Sequence, residues 1–140
     1  MSGEKKKVLF LCTHNSARSQ MAEGLLRAGH GDRYEVWSAG TEPSRVNPYA
    51  VRAMAELGID ISEHSSKHIE KFEGDNFDSV VTVCDHAKET CPVFPGAGNY
   101  VHHGFTDPSR FRGKDEEILE GFRSVRDEIK EWIDKEFSEK

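Results

Sequence analysis

The sequence predicts a single α/β domain over residues 1–140: a four-stranded parallel sheet, doubly wound, with helices on both faces. Three observations carry this reading. Short apolar runs alternate along the chain with segments whose apolar residues recur at helical spacing. Glycine, proline and asparagine punctuate the junctions. A chain of 140 residues buries one core but is too short for two ordinary domains. The first strand covers residues 7–11, with the apolar run Val8-Leu9-Phe10-Leu11, and a helix follows over residues 19–28 with Met21, Ala22, Leu25 and Leu26 at helical spacing. Residues 34–39 alternate as a second strand and stop at Gly40. Asn47-Pro48 then supplies an N-cap and a first-turn proline for a helix through Val51, Met54, Ala55 and Leu57, which Gly58 ends. A short helix is expected over residues 66–72. The run Ser79-Val80-Val81-Thr82-Val83, rich in β-branched residues, forms a third strand ending at Cys84, residues 85–99 read as a long loop, and residues 100–105 form a fourth, more polar strand. Ile118, Phe122, Val125, Ile129, Trp132 or Ile133, and Phe137 mark one face of a C-terminal helix.

The composition narrows the function classes. A formal charge of -6 argues against a general nucleic-acid binder, whose affinity would rest on a basic surface. With 36% hydrophobic and 31% charged residues and no apolar run near the roughly 18 residues that span a bilayer, the chain reads as soluble, without a membrane segment. Neither a signal peptide nor an even set of cysteines is present, so a reducing, cytoplasmic location is expected. Nothing in the sequence points beyond a monomer.

Parallel sheets of this kind bind ligands at the C-terminal ends of their strands. Cys12, Cys84 and Asp107 all fall at such ends. Between Cys12 and Arg18 stand only small or polar residues: Thr13, His14, Asn15, Ser16 and Ala17. A loop of this length between a strand and a helix N-terminus can turn its backbone N–H groups inward, where they and the helix dipole hold an oxyanion. Such a nest also stabilises a thiolate. Arg18 adds a planar fork that grips two oxygens of a tetrahedral anion. Asn15 suits a left-handed turn, and the Ser19 hydroxyl is placed to donate to the Cys12 sulfur. Asp107, followed by Pro108, is a candidate general acid for a leaving oxygen. From the residues alone, an ordinary turn at Asp107-Pro108 and buried core thiols at Cys84 and Cys91 remain open.

Cys12-x5-Arg18-Ser19 together with Asp107-Pro108 resembles the low-molecular-weight tyrosine phosphatase fold. The longer stretches CTHNSARSQMAEG, WSAG, NPYAVRAM, GIDIS, VVTVCDHA, HHGFTDPSR and VRDEI resemble the thioredoxin-coupled arsenate reductases built on that fold. The resemblance implies an enzyme of arsenic detoxification that reduces arsenate to arsenite and binds no cofactor. Cys12 would attack arsenate held by residues 13–19, and Asp107 would protonate the departing oxygen. Cys84 would then attack Cys12, and Cys91 would resolve the Cys12–Cys84 bond into a redox-active Cys84–Cys91 disulfide. Thioredoxin, or another thiol carrier, would reduce that disulfide.

Two departures stand out. Many members of this group carry a cysteine where this chain has Ala17, a position outside the three-cysteine relay. Some also bind potassium near the loop, and Asn15, Glu23, Ser38 and Ser65 match those positions, but Lys67 stands where an acidic ligand would be. No metal is therefore expected beyond this possible weak cation site, and the Lys67 ammonium is expected to occupy or repel it. The nearest alternative function is a low-molecular-weight protein tyrosine phosphatase. A metal or thiol sensor built on Cys84, His86, Cys91 and His102 or His103 lacks the usual zinc-ligand spacing.

Overall fold

The computed structural model describes residues 5–84 and 94–137. Four strands form one parallel sheet in the order β2-β1-β3-β4. They are β1 (Lys6–Cys12), β2 (Tyr34–Gly40), β3 (Ser79–Thr82) and β4 (Tyr100–His102). The most apolar strand, β1, lies inside the sheet, where neighbours on both edges and packing on both faces exclude water. Its register runs from Lys6↔Tyr34 to Cys12↔Gly40 on one side and from Val8↔Ser79 to Leu11↔Thr82 on the other. The Val83 N–H continues that ladder to the Leu11 carbonyl at 2.9 Å. Cys12 and Cys84 thus end neighbouring strands.

The helices are α1 (Arg18–His30), α2 (Pro48–Ala55) and α3 (Asp115–Glu136). Because successive strand residues point to opposite faces, Val8, Phe10 and Cys12 join a core with all three helices. Leu9 and Leu11 face the other way, onto Phe72, Phe77 and Phe94. Among the described residues that second face carries a short 3-10 helix, Ile69–Phe72. The C-terminal helix follows its sequence pattern closely: Phe122, Val125, Ile129, Ile133 and Phe137 are buried, with Ile118 and Trp132 at the margin. Among the described residues no helix is long and apolar enough to cross a membrane.

Two elements are shorter than their sequence pattern. The helix expected over residues 66–72 begins only at Ile69, because the backbone before it is committed elsewhere. The Ser65 carbonyl accepts from Gln20, the Lys67 N–H donates to Asn15, and the Lys67 carbonyl accepts from the Gly40 N–H. The fourth strand closes at His102 rather than at residue 105, since β3 offers no regular partner past Thr82. Even so, the N–H groups of His103 and Phe105 still reach the carbonyls of Thr82 and Val83.

Candidate active site

Residues 13–17 link the end of β1 to the start of α1 and wrap into a cradle. Asn15 takes a φ of 51°, the left-handed conformation its short polar side chain tolerates. The carbonyls of residues 13–16 are held from outside the cradle. Thr13 O accepts from the Glu42 N–H, His14 O from the Ser66 hydroxyl, Asn15 O from the Gln20 amide and Ser16 O from the Asn47 N–H. Since the peptide unit is planar and trans, the N–H groups of residues 14–17 face the opposite way, into the cradle. Ala17 precedes α1 without a side-chain cap, so the helix N-terminus also opens onto this space. Gly40 is required here for close approach: a Cβ would stand 2.5 Å from the Thr13 carbonyl oxygen and 2.7 Å from that of Cys12.

Cys12 lies at the floor of the cradle as a free, buried thiol, with its sulfur 2.9 Å from the Ser19 hydroxyl oxygen. Arg18 is 3% exposed and donates to the Phe105 carbonyl at 3.3 Å. Its guanidinium approaches the Asp107 carboxylate at 3.6 Å. The other Asp107 oxygen accepts from the Ser109 N–H and hydroxyl, at 3.0 and 2.7 Å, which fixes the carboxylate at the cavity edge. The cavity has a volume of about 280 Å³. Its lining includes Cys12, Arg18 and Asp107, with His14, Ser44 and Ser109 at the wall and no phenyl or indole ring among the described residues. The His14 ring lies across the rim, its Nδ1 donating to the Glu42 carbonyl at 3.0 Å. Ser44 carried no signal in the sequence, because nothing local marks a loop serine as part of a wall built from distant segments.

Cys84 is fully buried beyond β3 and shares the helix-side core with Cys12 and Phe105. It is disulfide-bonded. Cys91 and His86 lie outside the described residues. Among the described residues no cluster of histidine, cysteine and carboxylate is arranged to hold a metal ion.

Beneath the cradle the candidate cation-site residues meet. Asn15 and Ser38 are fully buried and Glu23 is 5% exposed. The Glu23 carboxylate accepts from the Ser38 hydroxyl and from Arg27, both at 2.5 Å. Lys67 directs its ammonium to the Ser65 carbonyl at 2.7 Å. Burial lowers the Lys67 pKa, and the Glu23 charge works against that shift. The side chains holding Glu23 and Asn15 thus include Arg27 and Gln20, which sequence reasoning passed over. Arg27 had a findable signal, being four residues after a glutamate on one helix.

Residues 7–139 match the family described as low molecular weight phosphotyrosine protein phosphatase. The chain belongs to that family. Within it, this chain groups with the arsenate reductases. The arsenate reductase of Halalkalibacterium halodurans is 52% identical over 125 residues, covering 89% of this chain and 90% of its own length. A solved arsenate reductase in the phosphate binding state superposes with a TM-score of 0.80 at 38% identity, covering 95% of this chain and 97% of that one. A thioredoxin-dependent arsenate reductase of Corynebacterium glutamicum superposes with a TM-score of 0.65 at 28% identity, over 99% of this chain and 66% of that one.

Proposed function

We propose that this family member reduces arsenate to arsenite through Cys12, Cys84 and Cys91, and that thioredoxin or a similar dithiol carrier restores it. The observation that carries the reading is the pairing of Cys12 and Cys84. One sulfur is a free thiol beneath an oxyanion cradle, and the other is an oxidised sulfur at the end of the adjacent strand. A phosphatase needs only the first.

In this reading the inward N–H groups and Arg18 hold the oxygens of arsenate. The Cys12 thiolate attacks arsenic, and one oxygen leaves as water with a proton from Asp107. The Cys84 thiolate then attacks the Cys12 sulfur, the arsenic–sulfur electron pair moves to arsenic, and arsenite departs. Two thiols have become a disulfide and arsenic has gained two electrons. Cys91 attacks Cys84 and releases Cys12 as a thiolate, and the carrier reduces the Cys84–Cys91 disulfide. A wall of His14, Ser44 and Ser109 suits a small inorganic oxyanion better than an aryl ester, which would stack on a phenyl or indole ring. The family's phosphatase chemistry supports slow hydrolysis of aryl phosphates as a side activity.

The test is a coupled assay with thioredoxin, thioredoxin reductase and NADPH. Arsenate-dependent NADPH loss is expected to exceed aryl phosphate hydrolysis. Cys91→Ser is expected to release about one arsenite per enzyme and then stop, because the first two thiols still supply two electrons. Repeated turnover by that variant with thioredoxin would refute the three-cysteine sequence.

A further inference from the structure

We propose that Arg27 is a positioning residue: through two hydrogen-bond branches that run inward and converge on Asn15, it reinforces the proton order that aims the Ser19 hydroxyl at the Cys12 sulfur. The inference rests on the reading of Cys12 as the nucleophile and adds a residue on the far side of α1's first turns.

The first branch runs through Glu23. Arg27 Nη2 donates to Glu23 Oε2 at 2.5 Å and to the Val36 carbonyl at 2.6 Å. An ionised carboxylate only accepts, so the Ser38 hydroxyl spends its proton on Glu23 Oε1. Ser38 Oγ is then left to accept, and it does so from Asn15 Nδ2 at 2.9 Å.

The second branch runs through His64. Arg27 Nη1 lies 3.2 Å from His64 Nε2. A guanidinium only donates, so Nε2 accepts and the ring proton sits on Nδ1. That proton goes to Gln20 Oε1 at 2.9 Å. Gln20 is thereby turned with its amide nitrogen toward Asn15 Oδ1, at 3.0 Å, and toward the Ser65 carbonyl.

Both branches reinforce one orientation of Asn15, which the Lys67 N–H also favours by donating to Asn15 Oδ1 at 2.8 Å. Asn15 Nδ2 donates to Ser38 and, at 2.8 Å, to Ser19 Oγ. Ser19 accepts there, so its single proton is directed to Cys12 Sγ. A hydrogen bond donated to sulfur favours the thiolate. Asn15, Ser19, Gln20 and Ser38 are all fully buried, so water does not compete for the links among them, while the Arg27 side chain at the head of both branches is 46% exposed. The charged and titratable groups facing the network are Glu23, Asp60, His64 and Lys67 around Arg27, with His14, Arg18 and Asp107 on the cavity side.

The test compares variants by the pH midpoint of Cys12 alkylation with iodoacetamide, followed on the full chain by peptide mass spectrometry. It needs neither arsenate nor thioredoxin, so it fails or succeeds independently of the reductase reading. Arg27→Lys keeps the charge but reaches only one branch, and Arg27→Met reaches neither. Both are expected to raise the midpoint, by about half a unit to one unit. A purely Coulombic role would leave Arg27→Lys unchanged. Glu23→Gln separates the two accounts by sign. Losing a nearby negative charge would lower the midpoint, whereas losing the acceptor that orders Ser38 is expected to raise it. In a Ser19→Ala background the Arg27 variants should produce no further shift, because the last link is gone. The His64 ring, followed by nitrogen NMR, should leave its Nδ1–H form in Arg27→Met. An unchanged midpoint in Arg27→Lys, or an Arg27 effect that persists without Ser19, would overturn the proposal.

Discussion

Two charged networks in this protein use the same residue types and differ in burial. Under the cradle, Glu23, 7% exposed, meets Arg27, whose side chain is 46% exposed, and the links from Glu23 inward to Asn15 are buried hydroxyls and amides. Between α2 and α3, Glu56 meets Arg123 at 2.7 Å and Arg126 at 3.0 Å, and Arg123 also reaches Glu116 and Glu120. There Glu116 and Glu120 are more than two thirds exposed, and Glu56 is about one third exposed. Water screens the second network and offers every group an alternative partner. Inward of Arg27, the first has no such alternative. Burial there therefore converts an ordinary i,i+4 ion pair into a device that reinforces proton direction some distance away, while the outer network only ties two helices together.

Breaking the inner network at its junction should have the largest effect. Asn15→Ala leaves the Lys67 N–H, the Gln20 amide and the Ser19 and Ser38 hydroxyls short of a partner. Arsenate kcat/KM is expected to fall about a thousandfold and unfolding stability by about 2–4 kcal/mol, read from steady-state kinetics and urea denaturation. A variant within tenfold of the parent would show that the cradle does not depend on what lies beneath it. On the cavity side, Asp107→Asn preserves the bonds from Ser109 but cannot donate a proton to the leaving oxygen as a carboxylic acid does. It should lower kcat by about a hundredfold with little change in KM.

A smaller effect sharpens the contrast through pH. Because burial lowers the His64 pKa in the folded chain, the neutral ring contributes stability above the unfolded value of 6.5, and that contribution is lost as pH falls below it. Thermal melts of His64→Gln should show a shallower decline than the parent over that acid window. The outer network should respond least. Hydrogen bonds from Arg123 hold the Glu56 pKa at about 2, against an ordinary 4.5. Its contribution is present above pH 4.5 and is lost as pH falls toward 2. Glu56→Gln should flatten that acid limb, shift the neutral-pH Tm by only a few degrees, and leave arsenate turnover within about twofold. A large loss of activity would mean that the outer network also reaches the site.

Much of the fold was legible because its signals are local. Asn47-Pro48 opens α2, with the Asn47 side chain accepting from the Tyr49 N–H as an N-cap does. The apolar positions of α3 recur at helical spacing and are the positions that are buried. The helix expected over residues 66–72 is a 3-10 helix that begins only at Ile69. The backbone of residues 65–67 is drawn away by Gln20, Asn15 and Gly40, none of which is near in sequence. The site was legible to the same degree. Cys12 and Arg18 stand at the ends of one loop, so spacing places them together. Arg27 was passed over, because its reach to Val36 and His64 depends on β2 and the segment after α2 packing beside α1.

By itself the sequence determined that strands and helices alternate, that a cysteine ends the first strand, and that a polar loop and an arginine follow it. These are near-neighbour facts, encoded in periodicity and turn chemistry. Tertiary structure alone decided which donors face which acceptors: Asn15 between Ser19 and Ser38, Arg18 against Asp107, and Arg27 between Glu23 and His64. A hydrogen bond depends on the direction and separation of two groups. For residues far apart in the chain, only sheet register and helix packing supply those.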